Sequence, residues 1–173
     1  MRRKIVGSSW KMHINTKSEV DVLAQEIVKG VQDIRHVDMF LIPAFPLIDH
    51  LSQILKDSNI AWGAQNMAFT DFGAYTGEVP APTLSELGCT YIELGHAERR
   101  ANFNETDHSV NKKVRLCLRY GLTPLVCIGE TKSEKDDGVG KLRVKTQVLW
   151  ALDGVDKQHM SNVVFAYEPV WAI

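Results

Sequence analysis

Short apolar runs alternate along this chain with stretches whose apolar residues recur every three or four positions. Runs at 4–10, 37–42, 60–64, 89–94, 122–128 and 163–167 have the length and composition of strands, that at 89–94 of a buried one. Between them lie helical patterns. Thr16 with Glu19 three positions on makes a capping-box signature, and Val20, Leu23, Ile27 and Val31 then fall on one helical face. A second helix is predicted at 47–55, after Pro43 and Pro46 end the preceding run, and a short one at 83–87, closed by Gly88. Val110, Val114, Cys117 and Leu118 mark another. A more polar helical region covers 133–152, with an interruption at Asp136-Asp137-Gly138-Val139-Gly140 that would divide it in two.

This order is strand then helix, six times, with the last helix missing. It argues for an α/β fold with parallel strands wrapped by helices. Alternation alone does not separate an open doubly wound sheet from a closed barrel. The dinucleotide fingerprint G-x-G-x-x-G is absent after the first run, and so is the phosphate loop G-x-x-x-x-G-K-[ST]. Gly138-Val139-Gly140-Lys141 precedes no serine or threonine and follows no strand, so it reads as a turn. Residues 65–80 break the alternation. They hold polar residues, Gly73, Gly77 and the aromatics Phe69, Phe72 and Tyr75 without a period, and a loop of that length in a compact domain is usually functional or interfacial.

Composition narrows the function classes. The 173 residues suffice for one domain with a real core. With 20 basic and 21 acidic residues the net charge is −1, which offers nothing to nucleic acid or to an anionic membrane. Cys89, Cys117 and Cys127 are too few and too scattered for a disulfide framework or a zinc site, and reduced, buried thiols in a cytoplasmic protein are expected. No stretch has the apolar length of a membrane span, and Met1-Arg2-Arg3-Lys4 is followed by only two apolar residues, so no secretory signal is read there.

Chemistry concentrates around 91–100. The apolar run halts at Gly95, which permits a tight exit, and His96 is then the first side chain able to project beyond the strand end, followed by Ala97-Glu98-Arg99-Arg100. This segment closely resembles the signature of triosephosphate isomerases. So do Ser9-Trp10-Lys11-Met12 near the start and Ala166-Tyr167-Glu168-Pro169-Val170-Trp171-Ala172-Ile173 at the end. The resemblance covers essentially the whole chain and decides for a TIM (β/α)8 barrel, of which about six βα units are present. Such a barrel needs roughly 250 residues. Residues 1–173 are therefore expected to form a single barrel domain that is C-terminally incomplete, stopping where the family continues into a mobile lid loop and two further strands with phosphate-gripping glycines.

The resemblance also implies an activity. Moving a carbonyl between adjacent carbons of a sugar phosphate requires a carboxylate base, an electrophile at the carbonyl oxygen and positive charge to hold the anion. By resemblance Glu168 is the base, His96 the neutral-imidazole electrophile and Lys11 the cation; this family is itself the standard worked example of that pairing. Glu98 is placed in the same site, and Ser9 with Lys11 at the substrate. A lone glutamate, histidine or lysine would ordinarily be a cap, a structural hydrogen-bonder or a solvated charge, and only the surrounding motifs raise these three above that. No cofactor and no metal are implied. The expected substrates are dihydroxyacetone phosphate and D-glyceraldehyde 3-phosphate, and the expected partner is a second copy of the chain. The loop Gly73-Ala74-Tyr75-Thr76-Gly77-Glu78 resembles one whose tip enters the partner's site, which makes Tyr75, Thr76, Glu78 and Arg99 interface residues. Arg99 has a structural alternative, tying the long loop in place.

Two departures bear on the substrate. Ser9 stands where the family usually has asparagine, and Ala97 where it has serine. Serine is one carbon-carbon bond shorter than asparagine and lacks the amide donor, so its contact must be lost, bridged by water or made otherwise. Two trimmed groups leave room for a longer substrate, and a related branch isomerises four-carbon erythrulose phosphates. The other readings are a fragment that acts only in binding or assembly, and a barrel enzyme using Lys11, His96 and Glu168 for metal or Schiff-base chemistry.

Overall fold

The computed structural model describes residues 4–173, so the Met1-Arg2-Arg3 part of the amino-terminal reading lies outside the described residues. The chain groups into two compact units, Met1–Asn66 with Pro82–Ile92, and Met67–Ala81 with Glu93–Ile173.

In the first unit the elements follow the apolar pattern closely. They are β1 (Lys4–Ser9), α1 (Lys17–Val31), β2 (Val37–Ile42), α2 (Ile48–Leu55) and β3 (Ile60–Ala64), with α3 (Ala81–Glu86) leading to β4 (Tyr91–Leu94). The strands are parallel. Lys4 to Ser9 pair with Val37 to Ile42, Met39 to Leu41 pair with Ile60 to Trp62, and Gly63 and Ala64 pair with Tyr91 and Ile92. Thr16 caps α1 as its spacing predicts: its hydroxyl accepts the Glu19 N–H at 3.3 Å, while Glu19 Oε2 accepts the Thr16 N–H at 2.8 Å. A 3-10 turn over Phe45–Leu47 carries Pro46 into α2, where the missing proline N–H is not needed. The helices bury Val20, Ala24, Leu51 and Leu55 against Trp10, Leu41, Leu47 and Ile60. Truncating a leucine as enclosed as Leu51 would cost about 2–5 kcal/mol.

One glycine is needed for close approach. A Cβ on Gly63 would lie 2.0 Å from the Tyr91 carbonyl oxygen, so β3 and β4 can pair at this spacing only without a side chain there.

The second unit contains α4 (Ala97–Asn102), α5 (Asp107–Arg119), β5 (Thr123–Ile128), α6 (Lys132–Asp136), α7 (Gly140–Leu152) and β6 (Val164–Tyr167). Leu125 to Ile128 pair in parallel with Val164 to Tyr167. The polar region after β5 is divided as its sequence predicts, with Gly138 at φ +74° between α6 and α7. Thr106 and Thr131 each cap a helix through a capping box. Short elements without an apolar period were not expected. The helix α4 buries none of its residues and so leaves no apolar period to read, and the 3-10 turn Lys157–Asn162 is likewise without buried residues. No described helix is long and apolar enough to cross a membrane.

Candidate active site

His96 follows the turn at Gly95, whose φ of +71° lets β4 end sharply. The backbone of Gly95 is gripped from both sides. Its N–H donates to Glu105 Oε2 at 3.0 Å, and its carbonyl accepts from Arg100 Nε at 2.7 Å. Glu105 in turn is held by Lys113, and Arg100 by Asp107, so the peptide that aims His96 is tied into an ion network within its own unit.

The His96 side chain serves as the N-cap of α4. Glu98 N–H donates to its Nδ1 at 3.2 Å. With Nδ1 occupied as an acceptor, the proton of a neutral ring sits on Nε2. That nitrogen faces two carboxylates. Glu168 Oε2 is 3.5 Å away and Glu93 Oε1 is 4.0 Å away. Glu98 Oε2 lies 3.5 Å from Nδ1 on the other side of the ring. His96 and Glu93 are buried, while the Glu168 and Glu98 side chains are half exposed. A buried hydrogen-bond donor beside a solvent-reachable carboxylate can polarise a carbonyl and exchange a proton with its neighbouring carbon.

Glu168 stands just past β6. Its N–H donates to the Ile128 carbonyl at 2.8 Å, and the Val170 N–H donates to the Glu130 carbonyl at 2.9 Å, so the strand pairing continues past Tyr167. Glu130 anchors the following turn through its side chain, accepting from Trp171 Nε1 at 2.9 Å and from the Tyr167 hydroxyl at 3.1 Å. The indole donor, together with its own backbone N–H and the phenol, holds the Glu130 carboxyl below the usual carboxylate range. Burial and the neighbouring carboxylate together push the Tyr167 phenol up. Lys135 stacks on the Trp171 ring with Nζ 3.2 Å from its centroid.

Lys11 and Ser9 belong to the other unit. Ser9 closes β1 opposite Ile42. Lys11 adopts φ +51°, a left-handed conformation rarely taken by a side chain this long, and Gln65 Nε2 donates to its carbonyl at 3.0 Å. Strain of this kind, over-determined by its surroundings, clusters at functional sites. The buried indole of Trp10 and the Trp10 N–H bond to Ile42 fix the turn from which Lys11 projects.

The loop at 67–81 is tightly folded. Ala68 N–H donates to Val79 at 2.8 Å, Glu78 N–H to Tyr75 at 3.0 Å, and Phe69 meets Tyr75 edge to face at 5.3 Å. It nevertheless exposes Phe72 to 85% and Tyr75 to 46%. Arg99 is engaged inside its own unit, with Nε 3.5 Å from Glu105 Oε2 and its guanidinium over Phe103.

Sequence reasoning brought out His96, Glu98 and Glu168, which the structure gathers around one imidazole. It missed Glu93, Glu105, Lys113 and Gln147. Glu93 had left a signal, since a lone carboxylate inside the apolar run of β4 is unexpected unless it has a partner.

Comparison with known proteins completes the description. A family model described as triosephosphate isomerase matches residues 4–173. A triosephosphate isomerase of Carboxydothermus hydrogenoformans is 42% identical over 173 residues, covering all of this chain and 68% of the relative. One from Caldanaerobacter subterraneus subsp. tengcongensis is 44% identical and is covered to 69%. The crystal structure of the Bartonella henselae triosephosphate isomerase superposes with a TM-score of 0.89 at 32% identity, over 98% of this chain and 69% of that one. The likeness runs through all six strands and the helices between them, so the fold class is the (β/α)8 barrel.

Proposed function

The chain belongs to the triosephosphate isomerase family, and from that premise we propose that it interconverts dihydroxyacetone phosphate and D-glyceraldehyde 3-phosphate by proton transfer through an enediolate, a step of glycolysis and gluconeogenesis. The observation that carries this reading is the approach of Glu168 Oε2 to His96 Nε2 at 3.5 Å, with the other imidazole nitrogen already committed to the Glu98 N–H.

The chemistry follows from those groups. Glu168 takes the proton from the carbon beside the carbonyl, while His96 Nε2–H donates to the carbonyl oxygen and stabilises the charge that develops there. The same carboxylic acid then returns the proton to the neighbouring carbon while the hydroxyl proton passes from one oxygen to the other by way of His96 Nε2, which moves the carbonyl by one position with no net gain or loss of electrons. No cofactor enters this scheme. Lys11 keeps the role that the family gives it, a cation that steadies the substrate anion. Its strained backbone supports a functional reading. Ser9 is assigned to substrate contact and Glu98 to the same site as His96.

The protein is further proposed to act in the cytoplasm as a homodimer. The ordered loop that exposes Phe72 and Tyr75 supports a protein-facing role for Tyr75, Thr76 and Glu78. Arg99 is assigned there with them.

A coupled assay offering the triose phosphates and the four-carbon erythrulose phosphates side by side tests the substrate. Preference for the trioses is expected, and preference for a tetrulose would reassign Ser9 and Ala97 as specificity determinants. Glu168→Asp and His96→Gln should each lower turnover by about 100-fold or more with the fold intact. Near-normal turnover in both would reject the mechanism.

A further inference from the structure

Gln147 on α7 is 3% exposed, and its carboxamide is bonded to the backbone of a single residue. Its Oε1 accepts the Gly129 N–H at 2.9 Å, and its Nε2 donates to the Gly129 carbonyl at 3.3 Å, so it holds the two peptide groups on either side of that one residue. Gly129 directly follows β5 and lies against the backbone that carries Glu168. A Cβ on Gly129 would stand 2.0 Å from the Glu168 carbonyl oxygen and 2.7 Å from its carbonyl carbon. The Glu168 N–H is bonded to Ile128, the residue before Gly129. Gln147 and Glu168 also line one small cavity of about 20 Å³, with Gly129, Gly95 and Cys127.

From this geometry we propose that Gln147 is a positioning residue: it clamps the backbone of Gly129 on both sides of its Cα and so fixes the base of Glu168 relative to His96. The inference rests on the isomerase reading of Glu168 for its functional consequence, but not for the contact itself. A primary amide presents a donor and an acceptor on one carbon, which suits the N–H and the carbonyl of one residue. Glutamate would set its second oxygen against the Gly129 carbonyl, and methionine would leave both of those backbone groups without that partner. The reacting carboxylate is half exposed, so its aim depends on the backbone beneath it. Small misplacements of a reacting group are expensive in rate.

The test compares Gln147→Glu and Gln147→Met with Ala151→Gly, which loosens the same helix at a buried position one turn further on. Two readouts are taken on the purified protein: steady-state kinetics on the triose phosphates, and the chemical shift of the Glu168 side-chain carboxylate in ¹³C-labelled protein without substrate. Both Gln147 variants are expected to lose about tenfold or more in kcat with KM within about twofold, and to move the Glu168 resonance, whereas Ala151→Gly does neither at a comparable loss of Tm. If one Gln147 variant does not fold, the other decides. An unmoved Glu168 resonance in a folded variant, or an equal kcat loss in Ala151→Gly, overturns the clamp. A moved resonance together with unimpaired turnover in Glu168→Asp would leave the clamp standing and reject the isomerase reading instead.

Discussion

Glu105 and Lys113 form an ion pair whose two side chains are 2% and 6% exposed, and the second oxygen of that carboxylate holds the N–H of Gly95, the residue before His96. Removing one member leaves the other charge buried. Glu105→Ala, or Lys113→Met, should therefore lower unfolding free energy by about 3–5 kcal/mol, measured by urea denaturation. The double variant Glu105→Ala with Lys113→Met should lose clearly less than the sum of the two single losses. Strict additivity would mean that the pair is not coupled.

Gly129 gives a second prediction. An alanine there cannot coexist with the Glu168 carbonyl oxygen at 2.0 Å, so the backbone under the base must move. A displacement near 1 Å can cost about 100-fold in rate. Gly129→Ala is expected to show a loss of that order in kcat, and wild-type kcat in the triose assay would contradict the placement.

The thiols make a third case. Burial pushes Cys89 up to about 12, and Cys117 is raised further by the same cause. At pH 8 neither forms thiolate in the folded protein. Iodoacetamide should leave both unmodified in peptide maps of native protein and label both after denaturation. Labelling of Cys117 in the native state would show that α5 opens readily.

A fourth prediction concerns acid. The Glu130 carboxyl is held below its ordinary value chiefly by the Trp171 indole donor, so the folded state favours the ionised form. That contribution is complete above about pH 4.3, the usual glutamate value, and disappears as pH falls through the lower folded value. Urea midpoints measured across pH 2–6 should fall less steeply for Glu130→Gln than for the wild type. Parallel curves would remove Glu130 from the account.

How far the sequence led depended on what each residue answers to. Strands such as Val37–Ile42 and Ile60–Ala64 were legible to the residue, because strands with no exposed position demand a largely apolar run. The Thr16 cap was legible because both of its bonds are local. The helix at Ala97–Asn102 was not, since a short exposed helix started by a histidine cap carries no hydrophobic period. Gln147 and Lys113 were invisible for a different reason. Each reads as a surface residue until a distant partner, Gly129 or Glu105, is brought against it by the packing of a helix. Of the residues around the imidazole, sequence motifs named His96, Glu98 and Glu168, whereas the residues that hold them carry no motif.

The left-handed backbone at Lys11 sets stability and chemistry against each other at one position. Glycine would accept that conformation without the penalty of about 1 kcal/mol or more that a side chain incurs, while deleting the ammonium. A hardier but idle protein thus lies a single substitution away: Lys11→Gly should melt no lower than its parent and turn over almost nothing.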